Sequence, residues 1–231
     1  MVIVLKNFFS LGKKNKMFTS QSVKILSEVL NMTPLMIIFI ILLAGMIGFS
    51  IYERFAKDKL MSQLTEFMMT GQFDKFDKKF NSISAKLMIR PFNRDFMFLT
   101  RSIIKNDSDD VEKAFQRFEK VNLNTKQKEA VYSRGFYYYL AVNNVKKADE
   151  FYKLMKENDK ESISSDMKRL YDVYVLCGTR YLKETLDELR TAPENEKAGL
   201  ETLISKMYEN TGDDAKAKEY AEQAKQRYES L

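Results

Sequence analysis

Two pairs of adjacent carboxylates are the residues whose types and spacing could support chemistry. Asp109 with Asp110, and Asp213 with Asp214, could hold a divalent metal or share a proton in acid–base catalysis. Each pair comes directly before a helical pattern, however, where acidic side chains cap the first backbone N–H groups and favour the helix dipole. The sequence contains no His, which excludes Ser-His-Asp and Cys-His schemes and His-ligated metal sites. We therefore predict no catalytic residue, no cofactor and no metal site.

The single cysteine leads to the same conclusion. Cys177 cannot form an internal disulfide, and no base accompanies it to make a nucleophile. It stands beside Gly178 at the end of a helical pattern, so we expect a small buried residue. No Gly-rich phosphate-binding loop occurs elsewhere. The sequence thus favours a binding or structural protein over an enzyme.

The positive charge is concentrated at the start of the chain. The net charge of the 231 residues is +6, and residues 1–33 contain five Lys against Glu28, which leaves only +2 for the rest. A nucleic-acid-binding domain usually carries its excess charge on the folded part, so we predict no nucleic-acid partner. Residues 1–33 form a basic, partly amphipathic tail. This tail either lies as a helix on an anionic leaflet or is an ordinary basic flank that fixes topology, and we favour the flank.

An uncharged run over residues 29–52 follows the tail. Its centre, 34–52, is nineteen residues long, and about 20 helical residues cross a hydrocarbon core of about 30 Å. Pro34 suits the first turn of a helix. A buried core helix or a cleaved signal peptide would be the alternatives. The run has neither the polar stripe of the first nor the cleavage site of the second, so we predict a retained transmembrane helix.

The anchor carries two further expectations. The five Lys of the tail favour a single-pass topology with the N-terminus cytoplasmic and the C-terminal domain extracytoplasmic. Ala44 and Gly48, four residues apart, would let two such helices approach closely, which makes a homo-oligomer the alternative to a monomeric anchor.

A helical pattern repeats after the anchor. A small or apolar residue, followed three or four positions later by an aromatic or apolar one, recurs with spacings of 38, 34, 34 and 35 at Phe76, Ala114, Ala148, Leu182 and Ala217. The first copy predicts a helix over 73–87, which either forms part of a full repeat or only connects the anchor to the domain. Polar turns are expected at 106–109, 143–144, 158–161, 191–195 and 211–213. Helix pairs that recur in this way must stack on one another to bury their apolar faces.

This pattern resembles the tetratricopeptide repeat over roughly residues 60–229. The last unit carries the family's spacing best, at Tyr208, Gly212, Asp213, Ala217 and Ala224. The third unit matches with one extra turn residue, at Gly135, Tyr138, Ala148 and Tyr152. The resemblance implies an all-α fold, in which an α-solenoid of about four to five tetratricopeptide-like helix pairs occupies residues 53–231.

The resemblance also assigns roles to the stretch GFYYYLAVNNVKKADEFY, residues 135–152. Tyr138 and Tyr152 fall at positions that pack paired helices together. Residues on the side that lines the concave groove would bind the partner, and these are Tyr132, Phe136, Tyr139, Lys168, Arg169 and Lys206. The alternative is that the aromatic ones bury against the helix of the preceding unit.

The groove does not match the basic clamp by which some members of the family hold a C-terminal carboxylate. At the clamp positions stand Tyr132, Phe136, Arg169, Gly199 and Leu203, of which one is basic. An aromatic groove for an extended or helical peptide fits better. We therefore predict a non-catalytic, membrane-anchored adaptor that binds a protein or peptide partner. The alternatives are a self-associating structural membrane protein and an accessory subunit of a membrane enzyme or secretion complex.

Overall fold

The computed structural model describes residues 34–230, so the predicted tail over residues 1–33 lies outside the described part. Within residues 34–230 the structure is all-helical, with no strand. Its helices are α1 (Pro34–Met69), α2 (Phe73–Phe80), α3 (Ile83–Met88), α4 (Pro91–Ile104), α5 (Ser108–Glu119), α6 (Thr125–Ala141), α7 (Val145–Asn158), α8 (Ser165–Leu170), α9 (Leu182–Thr191), α10 (Glu194–Thr211) and α11 (Asp214–Ser230). A 3₁₀ turn covers Lys160–Ser162, and α8 continues as a π-helix over Tyr171–Val175.

Helix α1 is one unbroken helix of 36 residues, so the predicted domain boundary at residue 53 falls inside it. The segment Ile38–Met69 is long and apolar enough to cross a membrane, with a mean hydropathy of 1.7, and none of its most apolar window is buried. It is the one such helix in the described part of the chain. Large apolar side chains from Ile38 to Phe55 are exposed. Among the described residues, the apolar half of α1 is thus exposed, as a lipid-facing helix would be.

The chain divides into two compact units after Met88. In the first unit, the far half of α1 is amphipathic and buries Leu60, Leu64 and Met68 at four-residue spacing. The chain then turns at Gly71, whose φ of +69° is the left-handed conformation that glycine adopts without a steric penalty. In α2, the rings of Phe76 and Phe80 are buried and stacked with centroids 5.1 Å apart.

The predicted helix over 73–87 is broken in two. Asn81 and Ser82 lie between α2 and α3, and their side chains bond the backbone of the preceding turn, Nδ2 of Asn81 donating to the Asp77 carbonyl and the Ser82 hydroxyl to the Lys79 carbonyl. The Ser82 hydroxyl also accepts from the Ala85 amide. Such side chains offer the backbone local partners in place of helical ones, which explains the break.

The second unit, α4 to α11, is built from consecutive contacts. Helix α4 packs on α5, α6 on α7, α9 on α10 and α10 on α11. Further contacts join successive hairpins. Helix α4 contacts α6, and the π-helical end of α8 contacts both α7 and α10. From α6–α7 onward, each hairpin of the second unit therefore contacts the one that precedes it in sequence.

Left-handed residues divide the described chain at regular intervals. The residues with positive φ are Gly71, Asn106, Asn143, Cys177 and Gly212, separated by 35, 37, 34 and 35 positions. Four of these turns close with the same bond, from the amide of the next residue to the carbonyl five positions earlier: Gln72 to Phe67 at 2.8 Å, Asp107 to Ser102 at 2.9 Å, Asn144 to Tyr139 at 2.8 Å and Asp213 to Tyr208 at 3.0 Å. The turns predicted near 106, 143 and 211 are thus confirmed, with a backbone mechanism behind their period.

Candidate partner-binding pocket

Helix α6 carries most of the aromatic residues singled out in the sequence. It begins at a capping box, in which the Asn124 side chain accepts from the Gln127 amide and the Gln127 side chain accepts from the Asn124 amide. At Gly135 it lies so close to α7 that a Cβ would be 2.5 Å from the Phe151 ring. Because glycine stands there, the Phe151 ring can lie directly on the α6 backbone.

An aromatic cluster from α5, α6 and α7 fills this interface. Phe115 of α5 lies 4.9 Å from Phe151 and 5.7 Å from Tyr139, measured between ring centroids, and Tyr139 stacks on Phe151 at 5.5 Å. Phe136 contacts Tyr152 at 5.8 Å. These contacts place the aromatic residues of the stretch in the largest core of the second unit.

The structure places two of the predicted groove residues in the core and not on a surface. Phe136 is 0% exposed and Tyr139 is 3% exposed, whereas their neighbour Tyr137 is 42% exposed. Tyr139 packs against Phe115 of the preceding hairpin, which is the alternative that the sequence left open. Helical spacing identifies residues that share a face, but how far that face is buried depends on the neighbouring helix. The predicted core roles of Tyr138, buried, and Tyr152, partly buried, are confirmed.

Tyr139 is also fixed by a polar network. Its hydroxyl donates to Glu112 Oε1 at 2.7 Å, and Lys147 Nζ reaches the same oxygen at 2.5 Å. Burial acts to raise the pKa of Glu112, but the hydrogen bonds from Lys147 and Tyr139 outweigh it and hold that pKa below its ordinary value. Burial and the bond to Glu112 raise the pKa of Tyr139. The network ties α5, α6 and α7 together at one edge of the core.

The predicted basic residues of the groove also differ in their accessibility. The Arg169 side chain is buried and bonds Glu188 Oε2 at 2.5 Å and Asp166 Oδ1 at 3.3 Å. Although burial acts to lower it, the bond and charge of Glu188 raise the pKa of Arg169. Lys168 is exposed, and Lys206 bonds Glu209 at 2.7 Å. Arg169 is therefore an internal counter-charge and cannot act as a free cation for a partner.

Tyr132 is the predicted groove residue that lines a pocket beside the aromatic cluster. The pocket has a volume of about 480 Å³ and lies between α5, the linker after it, α6 and α7. Its lining is mostly apolar, and consists of Phe115, Phe118, Glu119, Val121, Asn122, Leu123, Lys128, Val131, Tyr132, Phe151 and Leu154. Burial, and after it the charge of Glu157, raises the pKa of Tyr132, so its hydroxyl stays a neutral donor at the pocket wall.

Sequence reasoning missed two exposed members of this pocket. Val121 and Leu154 keep large apolar side chains in solvent at its rim. Val121 follows the last turn of α5, and the run Val121–Leu123, with apolar residues on both sides of Asn122 in an otherwise polar linker, is the signal that would have indicated it. We refer to this site as the Tyr132 pocket.

The two carboxylate pairs lie at the starts of α5 and α11. Asp107, not Asp109 or Asp110, caps α5 by accepting from the Asp110 amide at 3.2 Å, and Asp109 and Asp110 lie in the first turn. Asp213 caps α11 through the Lys216 amide at 3.2 Å. The described residues contain no group of three or more His, Cys, Asp or Glu side chains arranged to hold a metal. The expectation of a buried Cys177 is wrong, because its side chain is exposed at a left-handed turn.

Fold and pocket together define an all-helical protein with one helix suited to a membrane and an apolar pocket in a separate helical unit. Comparison of the chain with protein families, curated proteins and solved structures finds no match.

Proposed function

We propose that this protein is a membrane-anchored helical-repeat adaptor that holds a protein or peptide partner beside the bilayer. The observation that carries the proposal is the exposure of α1, whose most apolar window has no buried residue. At about 25 cal/mol per Å² of apolar surface, so bare a helix is costly in water and favourable in lipid. Anchoring by α1 would leave the second unit outside the hydrocarbon.

The repeat architecture is supported by two independent regularities. The left-handed turns recur every 34 to 37 residues, and the hairpins of the second unit contact one another in sequence order. Both are expected of a solenoid, in which each repeat packs on its neighbours alone. They favour the resemblance to the tetratricopeptide repeat, whose members present a surface for peptides.

The Tyr132 pocket is the proposed partner site. Its volume suits one or two apolar side chains of a peptide. Tyr132 adds a hydroxyl donor at the wall, and aromatic anchors of this kind dominate peptide interfaces. The exposed Val121 and Leu154 would lose their contact with water when a partner covers the rim.

The orientation follows from charge. The five Lys of residues 1–33 favour retention of the tail in the cytoplasm, so the second unit is proposed to face the extracytoplasmic side. A reporter enzyme fused after residue 231 should be active when it requires an extracytoplasmic location. Activity of a reporter that works in the cytoplasm would reverse the orientation and leave the anchor itself standing.

The anchor is tested by charge substitution in the full-length chain. Leu42→Lys with Ile47→Lys should move the protein from the membrane fraction to the soluble or aggregated fraction, because each central Lys costs about 2.5–3.5 kcal/mol in lipid. The matched control, Leu42→Ile with Ile47→Leu, should stay in membranes after alkaline carbonate extraction. Retention of the double-Lys chain would contradict anchoring through α1.

The partner site is tested by photocrosslinking in cells. A photoreactive phenylalanine at position 132 should give discrete protein adducts. The same group at position 137, which is exposed on the same helix and does not line the pocket, should not give them. Identical adducts at both positions, or none at 132 while the chain remains in the membrane, would contradict binding in the Tyr132 pocket.

Self-association through α1 is the second candidate. Ala44 and Gly48 are exposed at four-residue spacing, and a Cβ at Gly48 would meet no atom within 4 Å, so the face is free for a second helix. Gly48→Leu should then convert a crosslinked dimer to monomer in lipid nanodiscs. If the wild-type chain and the Gly48→Leu chain are both monomeric, this candidate is excluded.

A further inference from the structure

A second cleft lies at the other end of the helical unit, between α8, α9, α10 and the end of α11. Its volume is about 420 Å³. Its lining includes Arg169, Gly199 and Leu203, which stand at positions that the resemblance to the tetratricopeptide repeat assigns to the carboxylate clamp. The floor is apolar, since Leu170, Leu200 and Leu203 contribute to it. We call this site the Tyr228 cleft, after the aromatic residue of its wall.

Tyr228 is an exposed aromatic residue beside carboxylates. Its side chain is 58% exposed, and it shares the lining with Asp166, Glu188 and Glu196. A phenol ring attracts a cation to its face, and a nearby carboxylate strengthens that attraction. An aromatic wall next to acids is therefore complementary to a cationic side chain.

The charged side chains that line the cleft are mostly acidic, as binding of a cation requires. Arg169 is the single basic residue of the lining, against three carboxylates. Its guanidinium pairs with Glu188 and Asp166, so it neutralises part of the acidic charge. Glu196 is exposed on the first turns of α10 and leaves negative charge at the rim. The cleft therefore carries more acidic than basic side chains.

We infer that the Tyr228 cleft binds an Arg or Lys side chain of a partner peptide, with an apolar neighbour of that residue on the leucine floor. The cation would lie against the Tyr228 ring and bond the Glu196 carboxylate. The inference rests on the proposed adaptor function, and it assigns the partner's chemistry at a site separate from the Tyr132 pocket. A basic-and-apolar sequence in the partner is its consequence.

The test is a selection of displayed random twelve-residue peptides on the full-length chain in nanodiscs of a zwitterionic lipid. Peptides with Arg or Lys next to Leu, Ile or Met should be enriched. Their affinity should fall about tenfold on the variant Glu196→Gln with Tyr228→Leu, and should weaken with added salt. The matched control Glu222→Gln, an exposed acid on α11 outside the cleft, should bind as the wild type does. Circular dichroism and thermal unfolding verify that each variant is folded.

The contrary outcomes separate the two proposals. Enrichment of purely apolar peptides whose binding is lost in Tyr132→Ala would overturn the cationic ligand and support the adaptor function. Basic peptides that bind Glu196→Gln with Tyr228→Leu unchanged would also overturn the inference. Enrichment of no peptide would overturn this inference and the proposed peptide-binding function together.

Discussion

The hairpins α6–α7 and α8–α9 occupy successive periods of the chain but differ in construction. In α6–α7, two regular helices meet at a turn with Asn143 in the left-handed conformation. In α8–α9, the first helix leaves the α pattern at Tyr171 and completes a π-turn before Cys177. The closing bond there spans six residues, from the Gly178 amide to the Asp172 carbonyl at 2.7 Å, instead of five. The helix before this turn thus contains one more residue than a regular α-helical turn would.

In the irregular hairpin α8–α9, two backbone carbonyls accept hydrogen bonds from a side chain of the next hairpin. Asn210 of α10 donates through Nδ2 to the Val173 carbonyl at 2.9 Å and the Gly178 carbonyl at 3.2 Å. The Asp172 side chain accepts from the Arg180 amide at 3.2 Å. In the regular hairpin, the equivalent groups are bonded within the turn itself. In the irregular hairpin, bonds from the next hairpin thus stand where the regular turn has local backbone bonds.

The largest expected effect lies in the regular hairpin. Phe136→Ala should lower the free energy of unfolding by about 3–5 kcal/mol, because it empties a fully buried site between α6 and α7. Tyr137→Ala, one residue away and exposed, should change it by less than about 1 kcal/mol. Urea unfolding of the full chain in detergent, followed by circular dichroism, measures both. Equal losses of unfolding free energy in the two variants would show that α6 does not bury one face and expose the other.

Replacing the left-handed cysteine should sharpen the contrast between the two turns. Cys177→Gly should stabilise the protein by about 0.5–1 kcal/mol. The left-handed conformation costs a non-glycine residue about 1–2 kcal/mol, and the greater conformational entropy of glycine in the unfolded chain offsets part of the gain. Cys177→Ala keeps the Cβ and should give no gain. A gain with alanine equal to that with glycine would attribute the effect to the thiol and not to the backbone.

An effect confined to alkaline pH concerns the contact between the two hairpins. Tyr171 stacks on Tyr152 of α7 at 3.7 Å, and its hydroxyl donates to Asp149 at 2.7 Å. Burial, with that bond, raises the pKa of Tyr171 from 10.0 to about 12. Below pH 10 the hydroxyl is protonated in both states, and its contribution to stability is complete. From pH 10 to about 12 the unfolded chain loses the proton first, so stability falls.

Tyr171→Phe should therefore flatten the alkaline part of the stability curve, although it loses the bond to Asp149. Urea midpoints from pH 8 to pH 11 measure the slope. Tyr137→Phe, on the exposed side of α6, is the control and should leave the slope of the wild type. An unchanged slope in Tyr171→Phe would show that this hydroxyl does not link the hairpins.

The helices and turns could be predicted because their causes are local. An apolar run without charge predicts the start of α1, and Asn, Asp and Gly at the turns predict the hairpins near residues 106, 143 and 211. The helix over 73–87 was predicted wrongly where Asn81 and Ser82 bond the backbone themselves. Of the predicted groove residues, Tyr132 lines the candidate pocket, whereas its members Val121 and Leu154 were not predicted.

Most helices, the spacing of their turns and the apolar segment of α1 could be predicted from the sequence, because each depends on residues within a few turns of one another. Packing between hairpins sets which aromatic faces are buried and which charges are satisfied. Phe136, Tyr139 and Arg169 were predicted to meet a partner, and they meet α5, α7 and α9 instead. Burial depends on the distance and rotation between helices, and these are fixed by packing across hairpins that the spacing within one helix cannot specify.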